Sequence, residues 1–186
     1  MNNFLWYIGR AAGIVAMILA AISLLFGLLF SGRETGRKKR PAWWLDLHNW
    51  LGGLAVAFTA IHMFTLFADS DMALSLAALF VPNAAKDGTA GITWGVLAAY
   101  AILTPAVTGL ARFKRRIPRK VWHIVHLISV PGVLFAGLHG YITGTDRSTT
   151  GYKALTLGLL ALSVYAGALR LLGIRARKQA TVSASG

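Results

Sequence analysis

The chain has 186 residues, of which 56% are hydrophobic and only 13% charged, whereas soluble domains carry about 25% charged residues. Its net charge of +13 invites a nucleic-acid reading, but the basic residues cluster in short segments between long apolar runs, which argues against nucleic acid as a partner. With no cysteine in the sequence, disulfides and thiolate metal sites are excluded.

A helix needs about 20 mostly apolar residues to cross a bilayer core, and five runs qualify, at approximately 4–30, 46–68, 92–111, 121–143 and 152–173. They predict an all-α polytopic membrane bundle as a single domain over residues 1–179, followed by a small, polar, disordered tail at 180–186. The first run has no basic region before it and is longer than a signal-peptide core, so it reads as a retained helix. Ser31-Gly32 closes it before a basic loop, and Pro41 precedes Trp43-Trp44, a pair suited to anchoring at the membrane interface. The second run carries His48 and His62. Residues 69–91 form the longest loop, apolar enough around Met72 to Val81 to lie on the surface as a short interfacial helix. A second basic loop separates the third run from the fourth, which carries His126, Pro131-Gly132 and His139. Gly144 to Gly151 reads as a tight turn before the fifth run.

Charge sets the expected orientation. Fifteen of the 19 Lys and Arg fall on one side of the five-span serpentine. They are Arg33, Arg37, Lys38, Lys39 and Arg40; Arg112, Lys114, Arg115, Arg116, Arg119 and Lys120; and Arg170, Arg175, Arg177 and Lys178. The other side mixes Asp69, Asp71, Asp87 and Asp146 with Lys86, Arg147 and Lys153. The positive-inside rule then predicts a plasma (inner) membrane protein with its N-terminus outside and its C-terminus in the cytoplasm. The basic loops also suit anionic lipid.

The four intramembrane histidines carry the functional signal, since ionisable groups inside a membrane are rare and usually functional. His48 and His62 are 14 positions apart and His126 and His139 are 13 apart, which is roughly 20 Å along each helix at about 1.5 Å per residue. His62 and His139 each lie seven residues before an outer aspartate, Asp69 and Asp146, while His48 and His126 lie near the inner basic loops. Facing pairs His48/His126 and His62/His139 at two depths follow from that topology. At about 100° per residue, 14 steps keep His48 and His62 on one face, but 13 steps aim His126 and His139 some 140° apart on an ideal helix. The Pro131-Gly132 step is therefore expected to distort the fourth span.

Two separated histidine pairs do not suit zinc, which wants three or four ligands in one cluster. They suit bis-imidazole haem iron, whose potential is set by axial ligands and burial, and cofactor ligands often project from facing helices into a bundle core. Among the glycines near the candidate ligands, Gly52, Gly53, Gly132, Gly137 and Gly140 are read as making room for a macrocycle; the rest are read as helix packing. Arg10, near the outer end of the first span, either snorkels outward or pairs with a propionate of an outer haem. His123, beside Trp122, is an interfacial polar residue or an inner propionate contact.

The segments Leu47-His48 to Ile61-His62 and Val125-His126-Leu127 to Leu138-His139-Gly140 resemble the ferric reductase-like transmembrane domain. That family includes the membrane parts of NADPH oxidases, ferric reductases and the haem subunit of a periplasmic methionine-sulfoxide reductase system. The 14 and 13 spacings match the oxidase pattern, and residues 7–16, YIGRAAGIVA, look like the first helix of bacterial members. The resemblance covers about residues 4–173. It implies two b-type haems, with His48/His126 and His62/His139 as ligands, and electron transfer from inside to outside as a cytochrome b. Six helices are common in the family, against five counted here, and no glycine-rich dinucleotide fingerprint occurs at a strand-to-helix turn. The implied donor is therefore a separate flavoprotein, bringing its own flavin, or a quinol. The acceptor is ferric iron, oxygen or an extracytoplasmic redox partner. Two rivals stay open: a quinol-oxidising anchor subunit, and a proton-coupled transporter with a histidine relay.

Overall fold

The computed structural model describes residues 4–32, 42–72, 74–110 and 115–185. Seven helices follow one another among them: α1 Phe4–Gly32, α2 Ala42–Ala68, α3 Leu76–Phe80, α4 Thr89–Gly109, α5 Arg119–Leu127, α6 Ser129–Thr143 and α7 Thr150–Ser185. No strand occurs among the described residues. Five segments are long and apolar enough to cross a membrane: Phe4–Leu29, Trp43–Ala68, Thr89–Gly109, Arg119–Thr143 and Thr150–Gly173. Each expected span is present, with its ends moved by a few residues at most. The all-helical membrane architecture expected from the sequence is the one observed. The residues expected on the first basic loop, Arg33, Arg37, Lys38, Lys39 and Arg40, and Arg112 and Lys114 of the second, lie outside the described residues.

Two antiparallel pairs build the bundle, α1 with α2 and α4 with α6, and α7 packs against α6 and α1. The buried core joins Ala20, Ala21, Leu24 and Leu28 of α1 to Ala55 of α2, Val133 of α6 and Ala166 of α7. Small residues predominate where helices meet, as expected where close packing rather than water exclusion drives association. Ala55 stands midway between His48 and His62, so this core fills the space between the two histidine depths. Hydroxyls buried among the helices bond backward along their own helix: Thr65 to Ile61 O, Thr156 to Tyr152 O and Ser163 to Leu159 O. That satisfies a polar group where no water can reach it.

The fourth span breaks into α5 and α6 at Ile128, three residues before Pro131. Pro131 thereby falls in the first turn of α6, where a missing N–H costs no intrahelical bond. Ile128 N–H bonds Val125 O at 3.2 Å, three residues back, and such a tighter turn winds about 20° further per residue than an α-helix. The added rotation acts in the direction needed to bring His126 and His139 onto one side. α4 contains Pro105, which withdraws the N–H that Ala101 O would otherwise accept, and Gly132 of α6 lies against Ala101.

Outside the spans, α3 is the short surface helix expected between Met72 and Val81, capped by Ser75, whose side chain accepts from Ala78 N. Asn83 adopts φ 64° and exchanges two hydrogen bonds with Thr93, fixing the entry to α4. α7 continues to Ser185, through the described part of 180–186. Ile174 to Ala180 are rich in Arg, Lys, Gln and Ala, strong helix formers that propagate a helix already nucleated in the last span.

Glycine packing gives a direct test. A Cβ at Gly132 would meet Ala101 Cβ at 2.6 Å and its backbone carbon at 3.3 Å, whereas one at Gly158 meets nothing within 4 Å. Gly132→Ala should destabilise the bundle by about 1–3 kcal/mol. Gly158→Ala should stabilise it by about 0.5–1 kcal/mol through helix propensity. Thermal unfolding in detergent by circular dichroism reads both signs.

Candidate functional site

The structure brings the four histidines together as two pairs at two depths. His48 of α2 faces His126 of α5, with ring centroids 5.8 Å apart and planes at 74°. His62 of α2 faces His139 of α6, at 6.2 Å and 71°. With a metal–imidazole nitrogen distance of about 2 Å on each side and a ring radius of about 1 Å, a bis-imidazole metal needs centroids roughly 6 Å apart. Both pairs meet that spacing. Among the described residues, no three or more His, Asp and Glu converge as a bare metal ion's ligand set.

Three of these rings are held by the helix next door. His62 Nδ1 donates to Gly9 O of α1 at 2.7 Å. His139 Nδ1 donates to Gly91 O of α4 at 2.8 Å. His48 Nδ1 donates to Ser23 O of α1 at 2.9 Å, while the Ser23 hydroxyl donates to His48 O at 3.1 Å and lies 3.1 Å from the same ring nitrogen. A histidine whose Nδ1–H bonds a carbonyl has its tautomer fixed and its Nε2 lone pair available. That is the donor state a metal requires. His126 is positioned differently. Trp122, one turn earlier on α5, stacks on it at 4.9 Å and 23°.

Ser23 and the glycines beneath the rings are the part that sequence reasoning missed. A Cβ on Gly13, Gly27 or Gly95 would touch the ring of His62, His48 or His139 respectively. The five glycines expected to make room for a macrocycle have other protein neighbours, or open space. Gly52 faces Ser23 Oγ, Gly53 faces open space, Gly132 packs on Ala101, Gly137 on Leu160, and Gly140 lies by the Tyr152 hydroxyl and Met17. The overlooked signal was numerical: Gly13 and Gly27 are 14 positions apart, the same interval as His48 and His62 on the antiparallel neighbour.

Arg10 lies near the N-terminal end of α1, where it forms an ion pair with Asp146 of the turn between α6 and α7 and stands over the Trp6 ring at 4.9 Å. The Tyr152 hydroxyl donates to Gly140 O at 2.8 Å beside it. At the opposite end, Trp44 Nε1 donates to Phe26 O at 3.0 Å and its ring meets Phe26 edge-on, while Trp43 is exposed. Trp44 thus ties α1 to α2 as well as marking the interface. His123 is exposed, as are Arg115, Arg116, Arg119, Lys120 and Arg175.

No match to a curated protein is found. Residues 12–137 match the family model described as ferric reductase like transmembrane component. The matched range is more than half of the chain; it includes His48, His62 and His126 and stops two residues short of His139. A helical bundle with five membrane-crossing segments and this match identify the chain as a member of the ferric reductase-like transmembrane component family.

Proposed function

We propose that the chain carries single electrons across a membrane through two b-type haems, His48 and His126 holding the inner one and His62 and His139 the outer. The observation that carries this reading is the double pairing itself: two facing imidazole pairs at two depths, three of the four rings bonded through Nδ1 to a carbonyl. Bound haem supplies one-electron chemistry at a potential tuned by its axial ligands, their hydrogen bonds and burial. The protein's own part is to fix the imidazoles, exclude water and set the local polarity. The apolar residues between the two depths, Leu24, Ala55 and Val133 among them, keep the interior dry. Arg10, already partnered by Asp146 at the outer end, is the cation we assign to a propionate of the outer group.

Orientation follows from charge. The basic residues define the cytoplasmic side of the plasma (inner) membrane, with the N-terminus outside and the C-terminus inside. His48/His126 is then the entry level and His62/His139 the exit level. A flavoprotein carrying its own flavin, or membrane quinol, delivers electrons to the entry level. Ferric iron, oxygen or an extracytoplasmic redox partner accepts them.

Haem content tests the proposal most directly. A pyridine haemochrome assay on purified protein should return two haems b per chain. One haem would reject the two-level arrangement, and the absence of a Soret band would reject electron transfer in favour of a histidine relay.

Level-specific loss follows from the pairing. His62→Ala and His139→Ala should remove the same component of the reduced-minus-oxidised spectrum, and His48→Ala and His126→Ala the other. Each variant should reduce transmembrane electron flow at least tenfold, because the two levels act in series. If His48→Ala and His139→Ala removed one common component, the pairing would be wrong.

Direction is read in vesicles with a donor on one side only. Reduction should be rapid from the face bearing Arg115 and Arg116, and neutralising both should slow a negatively charged donor severalfold at low salt, an effect that fades as ionic strength rises. Rapid reduction only from the acidic face would overturn the assigned direction.

A further inference from the structure

Three histidines reach across to a neighbouring helix, and they do so in one way. The accepting carbonyls belong to Gly9, Ser23 and Gly91, and four residues beyond each stands a glycine: Gly13, Gly27 and Gly95. In an α-helix the carbonyl of residue i points at the N–H of residue i+4, and Cα–Cβ bonds tilt toward the N-terminus. The side chain at i+4 is therefore the one that leans over that oxygen.

The missing side chain is what the imidazole uses. A Cβ on Gly13 would stand 3.0 Å from His62 Nδ1, one on Gly27 3.0 Å from His48 Cε1, and one on Gly95 2.8 Å from His139 Nδ1. Unstrained heavy-atom contacts to carbon begin at about 3.5 Å, so any larger residue crowds the ring and displaces it relative to its carbonyl. On α1 the device occurs twice with a 14-residue interval in both acceptors and glycines, in register with the 14 residues between His48 and His62.

We infer that Gly13, Gly27 and Gly95 are positioning residues, each uncovering the carbonyl four residues before it so that one histidine is locked with Nδ1 protonated and Nε2 presented to its partner across the pair. That Nε2 meets haem iron rests on the function proposed above; the locking of the ring does not. Where iron is bound, the carbonyl bond makes the imidazole a stronger donor and favours the oxidised state. Losing the bond raises the potential of that level alone.

The test uses the full chain as purified, labelled with ¹⁵N-histidine and reduced with dithionite, in parallel with a spectroelectrochemical titration. The wild type should show strongly downfield Nδ1–H resonances for His48, His62 and His139. Gly95→Ala and Gly13→Ala should each shift one of them upfield and raise the potential of the outer component. Gly27→Ala should do the same for a third resonance and the inner component. Gly167→Ala, where a Cβ meets nothing within 4 Å, should change neither readout. Because Gly13 and Gly27 face the milder approaches, at least one of these variants should retain wild-type helicity and melting. A well-folded Gly13→Ala or Gly27→Ala protein with all three resonances and both potentials unmoved overturns the inference. Protein that contains no haem yet loses one resonance per variant would uphold the positioning role and reject the electron-transfer function instead.

Discussion

Four imidazoles inside a membrane must have their polar atoms satisfied by protein, because lipid offers neither donor nor acceptor. An unpaired buried polar group costs several kcal/mol in such surroundings, and that constraint organises the bundle. Helix carbonyls are the abundant acceptors at membrane depth, but each is already engaged along its own helix. A second donor can share one only if it approaches from the side where no side chain intervenes. The histidines obtain that access at Gly9, Ser23 and Gly91, and the access dictates how α1 packs on α2 and α4 on α6. Those two antiparallel pairs are the most extensive helix contacts in the structure.

The remaining features follow from having to hold two such levels apart. Between them the core is built of Ala20, Ala21, Leu24, Ala55 and Val133, small enough for close approach yet without a polar atom beyond the backbone. At the ends, polar ties take over. Arg10 and Asp146 join α1 to the turn between α6 and α7, and Trp44 joins α2 back to the end of α1. One tie links α1 to the turn between α6 and α7 and the other links α1 to α2, so they resist sliding of one helix along another. A slip of one residue, about 1.5 Å, would carry His48, His62 and His139 off their carbonyls.

Much of this was legible in the sequence, because depth is a one-dimensional property. Hydropathy alone gave the five spans, and counting residues from the aspartates and basic loops paired His48 with His126 and His62 with His139. Properties that depend on rotation were harder to read. The 13-residue interval predicted diverging rings, and the tightened turn at Ile128, three residues before the proline that signalled it, supplies part of the missing rotation. Properties that depend on cross-helix register were not read at all. Gly52 and Gly53 drew attention by standing close to His48 along the chain, while the glycines that touch the rings stand 21, 44 and 49 residues away from their histidines. Arg10 was read as free to turn outward or toward a propionate; its pairing with Asp146 needs the turn between α6 and α7 folded back over α1.

The two levels are unequally built, and the sequence explains why. His62 and His139 lie on long helices, α2 and α6, and both use a carbonyl uncovered by a glycine. His48 of α2 is held in the same way. His126 belongs to α5, a nine-residue helix without a buried residue, and it is flanked by its own Trp122. The opposing stretch of α4, Thr104-Pro105-Ala106-Val107-Thr108, has threonine where the α1 device has glycine, and Thr108 bonds back to Thr104 O. That carbonyl is therefore already taken twice along its own helix. His126 thus stands on a short amphipathic helix with an aromatic stack beside it, whereas His62 and His139 stand on long helices and are oriented by backbone carbonyls.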